Sequence, residues 1–235
     1  MTPPIDPRRE VTGLVLAGGR ALRMGGAAKG LAQLHGQPMI AQVIARLRPQ
    51  VAGLMLNANR PDYAAFGLPL VADVVPDYAG PLAGVHAGLL ACPTPWLVTV
   101  PCDAPFVPTD LVARLAAAAS RHPLRRGSAA ARRADSARPP CCVGASSERF
   151  LLDRPVAQLL HQSRLLLAAS PHGVEPGFIL AHVDLAEELG AWLAGGGRKV
   201  RVWLAAAGAS EVMFADARAF TNINTPEELA RLNAA

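Results

Sequence analysis

The sequence predicts one α/β domain with a predominantly parallel sheet and helices on both of its faces. Three observations point there. Short apolar runs bounded by Gly, Pro, Asn or Asp alternate with segments of helical periodicity. Several runs are continuously apolar, as in strands buried on both faces. The length of 235 residues fits one domain and is short for two.

The elements follow in order. Val11 to Ala17 is a strand that ends in Gly18-Gly19, and Met39 to Leu47 has helical spacing. Gly53 to Leu56 is a short buried strand ending at Asn57, and Leu68 to Ala72 is another ending at Asp73. Pro81 to Ala91 is a helix, and Trp96 to Val100 is a strand ending in Pro101-Cys102-Asp103. Pro108 to Ser120 is a helix with proline at its start, where the missing N–H does no harm. Residues 124–164 break the pattern, being rich in Arg, Ala, Ser and Pro without a sustained period. They are expected to form a disordered basic insertion within the domain spanning residues 1–235. Leu165 to Ala169 and Phe178 to Val183 form a strand pair around SPHGVEPG. Helices follow at Leu185 to Leu193 and Lys199 to Ala206, then a short strand from Val212 to Phe214. Thr225 is an N-cap, Pro226 the first helical residue, and Glu228 closes a capping box.

Composition excludes several classes. A hydrophobic share of 51% with 17% charged residues argues against wholesale disorder and coiled coil. No uninterrupted apolar run of about 18 residues suggests a membrane span, and MTPPIDPRRE lacks the pattern of a secretory signal. The expectation is a soluble, cytoplasmic protein with no membrane partner. The net charge of +5 comes from residues 124–164, where eight arginines face three acids, while the rest is balanced. A nucleic-acid partner would have to rest on that segment alone, and none is expected. Cys92, Cys102, Cys141 and Cys142 form no C-x-x-C pair, and the six histidines are scattered, so no zinc site is predicted. Only Lys29 and Lys199 are lysines in an arginine-rich chain. Each falls beside glycines, which marks both for closer attention.

The segment LAGGRALRMGGAAKG, residues 16–30, carries the strongest chemical signal. Its glycines let backbone approach a ligand and offer N–H groups to phosphate oxygens. Arg23 and Lys29 bring two cations to the same loop. It fits neither the Walker A spacing nor the dinucleotide fingerprint. Asp103 ends a buried strand, where open α/β sheets bind ligands. A carboxylate there suits Mg²⁺, although it could instead cap the following helix. Arg23 could equally form a structural ion pair. Asn57 could close an Asx turn and Asp73 cap a helix, or both could meet a ligand at the same sheet edge. Cys102 is expected to pack.

Leu16-Ala17-Gly18-Gly19, Arg23-Met24-Gly25 and Lys29 at this spacing resemble the signature of the sugar-nucleotide-type nucleotidyltransferases. With NANR at 57–60, DYAGPLAG at 77–84, PCDAP at 101–105 and NINTPEEL at 222–229, the chain resembles the MobA-type molybdenum cofactor guanylyltransferases. The match covers about residues 11–123 and 165–232 and leaves out the stretch near 124–164.

The resemblance implies a Rossmann-like nucleotidyltransferase domain. It also implies a reaction in which GTP and Mo-molybdopterin give molybdopterin guanine dinucleotide and pyrophosphate, with Mg²⁺ as cofactor. Lys29, Asp103 and Arg23 would be the catalytic side chains. Leu16, Ala17, Gly18, Gly19, Lys29, Asn57, Asp73 and Asp103 would bind the nucleotide. Asp103 would bind metal with Asn222, or with Asn224 in its place. Asp77, Gly80 and Gly84 would shape the pterin and phosphate side. Arg198-Lys199, read from the residues alone, follows Gly195-Gly196-Gly197 and could meet the pterin's anionic groups or form a solvated basic turn. A molybdenum insertion protein, and apo-molybdoenzymes or their chaperones, are the implied partners. Two alternatives remain: a cytidylyltransferase using CTP, whose members tend to carry Ala-Ala-Gly where this chain has Ala17-Gly18-Gly19, and a non-catalytic cofactor carrier.

Overall fold

The computed structural model describes residues 4–18, 29–75, 80–121 and 164–234. The expected insertion at 124–164 therefore lies outside the described residues, apart from Arg164. The strands are β1 (Val11–Leu16), β2 (Gln33–Leu34), β3 (Gln37–Pro38), β4 (Gly53–Asn57), β5 (Leu70–Val71), β6 (Trp96–Pro101), β7 (Leu165–Ser170), β8 (Gly173–His182) and β9 (Ser210–Met213). The α-helices are α1 (Pro7–Glu10), α2 (Met39–Leu47), α3 (Pro81–Ala91), α4 (Leu111–Arg121), α5 (Leu185–Ala194), α6 (Val200–Ala206) and α7 (Pro226–Asn233).

Seven strands form one sheet in the order β5-β4-β1-β6-β8-β7-β9, and β2 and β3 make a separate small hairpin. The β5-β4-β1-β6 half is parallel throughout. β8 runs antiparallel to both β6 and β7, and β9 is parallel to β7. The predominantly parallel α/β sheet predicted from the sequence is what the chain forms.

Both faces are covered. Ile40, Val43, Ile44 and Leu47 of α2 join Leu111, Leu115 and Ala119 of α4 in one core cluster with Val11, Val15 and Val98. Leu82, Val85 and Leu89 of α3 join Leu185, Leu189 and Trp203 in a second, with Leu14 and Leu97. Helix α3 lies very close to the sheet. A Cβ on Gly88 would stand 2.4 Å from Leu14 Cδ2, so the glycine sets the helix–strand spacing.

Element boundaries differ from expectation in five places. Pro108 does not start a helix: α4 begins at Leu111. Gln50 explains this, because its Nε2 donates to Pro108 O at 2.9 Å and its Oε1 accepts from Val112 N at 3.1 Å. A side chain from another element thus satisfies the helix start. β5 is shorter than predicted, because Pro69, whose carbonyl accepts from Leu56 N, has no N–H with which to continue the ladder. β8 is longer, because Pro171-His172 alone makes the turn and Ser170 pairs with Gly173. β9 starts at Ser210 rather than Val212, and Lys199 caps α6 rather than belonging to it. The capping box at Thr225 and Glu228 forms as expected. Among the described residues, no helix is long and apolar enough to cross a membrane.

Candidate active site

Parallel strands joined by crossover helices all end at one edge of the sheet, and the loops beyond that edge are free to gather side chains. Leu16 is in register with Asn57 on one side and Pro101 on the other. Ala17 N donates to Asn57 O at 2.8 Å, and Cys102 N donates to Leu16 O at 3.1 Å. Leu16, Ala17, Gly18, Asn57, Asp73 and Asp103 therefore share the carboxyl edge. Gly19, Arg23 and Asp77 lie outside the described residues.

Beyond β6, Lys29 Nζ forms an ion pair with Asp103 Oδ2, and the two side chains are only 23% and 14% exposed. The same ammonium donates to Asn224 Oδ1 at 2.7 Å. The chain around Lys29 is fixed from behind. A Cβ on Gly30 would be 3.2 Å from Cys102 Sγ and from Tyr63 Oη, so glycine permits this close seating. Burial pushes the Cys102 thiol up to about 12, and the neighbouring Asp103 charge adds to the effect. Cys102 is accordingly a neutral packing group, as the sequence suggested. Tyr63 is likewise pushed up to about 12, chiefly by burial.

The NINT segment docks on the end of β6 through Ile223 N, which donates to Asp103 O at 2.9 Å. Ile223 is fully buried with Leu34 and Met39. Glu228 Oε2 accepts from Asn224 N at 2.7 Å and from Thr225 N at 3.2 Å, so the capping box also aims Asn224. Asn222 Oδ1 is buried and has no hydrogen-bond partner among the described residues. Of the two asparagines, Asn224 is the one the structure brings onto the Lys29–Asp103 pair.

On the other side of β1, Asn57 is 2% exposed. Its Nδ2 donates to Val71 O at 3.0 Å and to Asp73 Oδ1 at 2.9 Å. This is a clasp between strand ends rather than an Asx turn. A Cβ on Gly18 would lie 2.8 Å from Asn57 Oδ1, and one on Gly84 only 2.2 Å. Two glycines thus hold the amide between them. Asn59, which the sequence argument did not single out, donates from Nδ2 to Asp73 Oδ2 at 2.8 Å, and its Oδ1 accepts from Asp73 N at 3.1 Å. Its place in NANR was the available signal, but the pairing with Asp73 depends on how the loops fold. The cluster holds Asp73 with amides at the strand ends, not as a helix cap.

The basic turn lies near the start of α3, where a Cβ on Gly80 would be 3.9 Å from Arg198 O. Arg198 donates from Nη1 to Leu193 O at 2.7 Å and to Gly197 O at 2.9 Å, closing the end of α5. Lys199 is exposed. A cleft of about 380 Å³ lined by Arg46, Phe106, Asp110, Arg114, Phe214 and Asp216 contains none of these site residues.

The edge thus offers an ammonium, a carboxylate and an amide oxygen on one side of β1, and a carboxylate cradled by amides on the other. With Gly18 between them, this fold and site define a nucleotidyltransferase. The profile of the MobA-like NTP transferase domain matches residues 13–210. The molybdenum cofactor guanylyltransferase of Cupriavidus necator is 47% identical over 224 residues, covering 94% of this chain and 96% of that protein. The same-named protein of Cupriavidus taiwanensis is 46% identical over 227 residues, covering 94% and 96%. Molybdopterin-guanine dinucleotide biosynthesis protein A from Archaeoglobus fulgidus shares the fold, with a TM-score of 0.64 at 19% identity over 95% of this chain and 97% of that one. The chain belongs to the MobA-like NTP transferase family.

Proposed function

We propose that this enzyme transfers GMP from GTP to Mo-molybdopterin. A phosphate oxygen of the pterin attacks the α-phosphorus of GTP. The bond from that phosphorus to the bridging oxygen breaks, and pyrophosphate leaves with the electron pair. The Lys29–Asp103–Asn224 contact, across the end of β1 from Asn57 and Asp73, carries this reading. The names of the relatives supply the substrates.

Phosphoryl transfer needs alignment and charge neutralisation more than covalent help from the protein. Lys29 provides a fixed positive charge for the triphosphate, and Gly18 lets the nucleotide approach the backbone. Asn57 and Asp73 face the base and ribose. The hard oxygen donors fit Mg²⁺: the Asp103 carboxylate would hold it, with the amide oxygen of Asn222 or Asn224 as companion. Asn222 Oδ1, buried and without a hydrogen-bond partner among the described residues, supports the first of the two. When bound there, Mg²⁺ would supply charge neutralisation for the phosphates. We take residues 1–235 as one cytoplasmic nucleotidyltransferase domain whose product passes to the molybdenum insertion machinery and apo-molybdoenzymes.

The test is thermal melting with GTP, CTP or ATP, with and without Mg²⁺. A ligand at a hundred times its dissociation constant stabilises by about 2.7 kcal/mol. GTP with Mg²⁺ is expected to raise the Tm most. Equal or larger stabilisation by CTP would overturn the guanylyl assignment.

A further inference from the structure

The Asp73 carboxylate is held in an unusual way for a charged group at a ligand-binding edge. Its oxygens accept from amides: Oδ1 from Asn57 Nδ2 at 2.9 Å and Oδ2 from Asn59 Nδ2 at 2.8 Å. Asn59 also grips the Asp73 backbone, accepting from its N–H at 3.1 Å. One side chain therefore fixes both the main chain and the carboxylate of Asp73.

The consequences are chemical. A carboxylate has about four lone-pair sites, two on each oxygen. Among the described residues one amide meets each oxygen, which leaves a second site on each. Amide donors also leave the negative charge in place, whereas an arginine fork would fill the acceptors and cancel it. A carboxylate fixed in this state suits two adjacent N–H donors on a planar ring. Guanine presents that pair, its N1–H and its 2-amino group. Cytosine and adenine each place a ring-nitrogen acceptor beside their amino group, which a carboxylate repels. Hypoxanthine keeps N1–H and lacks the 2-amino group.

We infer that Asn59 is a positioning residue for base selection, fixing the plane of the Asp73 carboxylate so that it accepts both guanine donors. The inference rests on the proposed use of GTP. It assigns Asn59 no contact with the nucleotide. Asn59 stands exposed at the rim, so its replacement leaves the core intact.

The experiment compares Asn59→Ala and Asn59→Asp with the unaltered protein, measuring Kd for GTP and ITP by calorimetry with Mg²⁺, together with Tm. The unaltered protein is expected to prefer GTP over ITP by about tenfold, the effect of one hydrogen bond to a charged acceptor. Asn59→Ala should weaken GTP by about tenfold and ITP by less, bringing the ratio toward one. Asn59→Asp should do the same with a larger loss, because it sets a like charge against Asp73. A GTP-to-ITP ratio that survives both substitutions would overturn the role of Asn59 and leave the guanylyl reading standing. Equal weakening of both nucleotides together with a lower Tm would also overturn it, since that is the mark of structural support only. An unaltered protein that binds GTP without preferring it to ITP would overturn base reading by Asp73 and this inference with it. An unaltered protein that binds no GTP would overturn the guanylyl reading itself.

Discussion

The corners on either side of β1 treat a carboxylate in opposite ways. Asp103 meets an ammonium, and the partners of the two Asp73 oxygens among the described residues are amides. Between them lie little more than the end of one strand and Gly18. An ion pair is strong but weakly directional, and it suits a place where phosphate charge must be balanced during reaction. Amide clasps are weaker and more directional, and they suit recognition of a neutral ring. On the proposed reading, one sheet edge separates charge handling from base reading by the kind of donor placed at each strand end.

The charged corner should fail hardest. Asp103→Asn is expected to lower the rate of pyrophosphate release on the order of 10²-fold or more, with the fold retained. Near-normal Mg²⁺-dependent turnover would break the comparison at its charged side. Lys29→Ala should weaken GTP binding about tenfold and slow transfer, with far-UV circular dichroism unchanged. If affinity and rate both stay within about a factor of two, the ammonium has no phosphate role.

The amide-held corner should respond through shape. Gly84→Ala puts a methyl 2.2 Å from Asn57 Oδ1, so the amide or α3 must shift. Overpacking of this kind costs about 1–3 kcal/mol, which is read as a lower midpoint in urea. A loss of GTP affinity should accompany it. An unchanged midpoint and affinity would show that Asn57 is not held between the two glycines.

The smallest effect appears only in alkali. An unfolded Cys102 ionises near about pH 8.5, whereas in the fold it stays neutral until about 12. Its contribution to stability is therefore complete below the unfolded value and is lost as pH rises through that window. The slope approaches about 1.4 kcal/mol per pH unit for one group. Cys102→Ala should remove that part of the alkaline slope while Tyr63 keeps its own. Identical slopes in urea titrations from pH 8 to 10 would show that the thiol is not shielded.

Much of this was legible in the residues, and what escaped has a common cause. Apolar runs gave the strands, and Thr225, Pro226 and Glu228 gave a helix start satisfied within four residues. Pro108 carried an equally good local signal, yet Gln50 from another element set where α4 begins. The strand ends placed Asn57, Asp73 and Asp103 on one edge. The partners across that edge were not legible, because a hydrogen bond between strand ends leaves no periodicity. Thus Asn59 was missed, and Asn222 could not be separated from Asn224. Nor was it legible that Arg198 Nη1 donates to the carbonyls of Leu193 and Gly197 just behind it.

Lys29 and Asn224 touch across a sequence separation of 195 residues. Contacts that distant pay loop-closure entropy before they return anything, and they form late on the way to the native state. The strands β1, β4 and β6 can align while Lys29 still lacks this partner. During refolding, backbone order should therefore return before nucleotide affinity does. The molecule is expected to become an enzyme later than it becomes a fold.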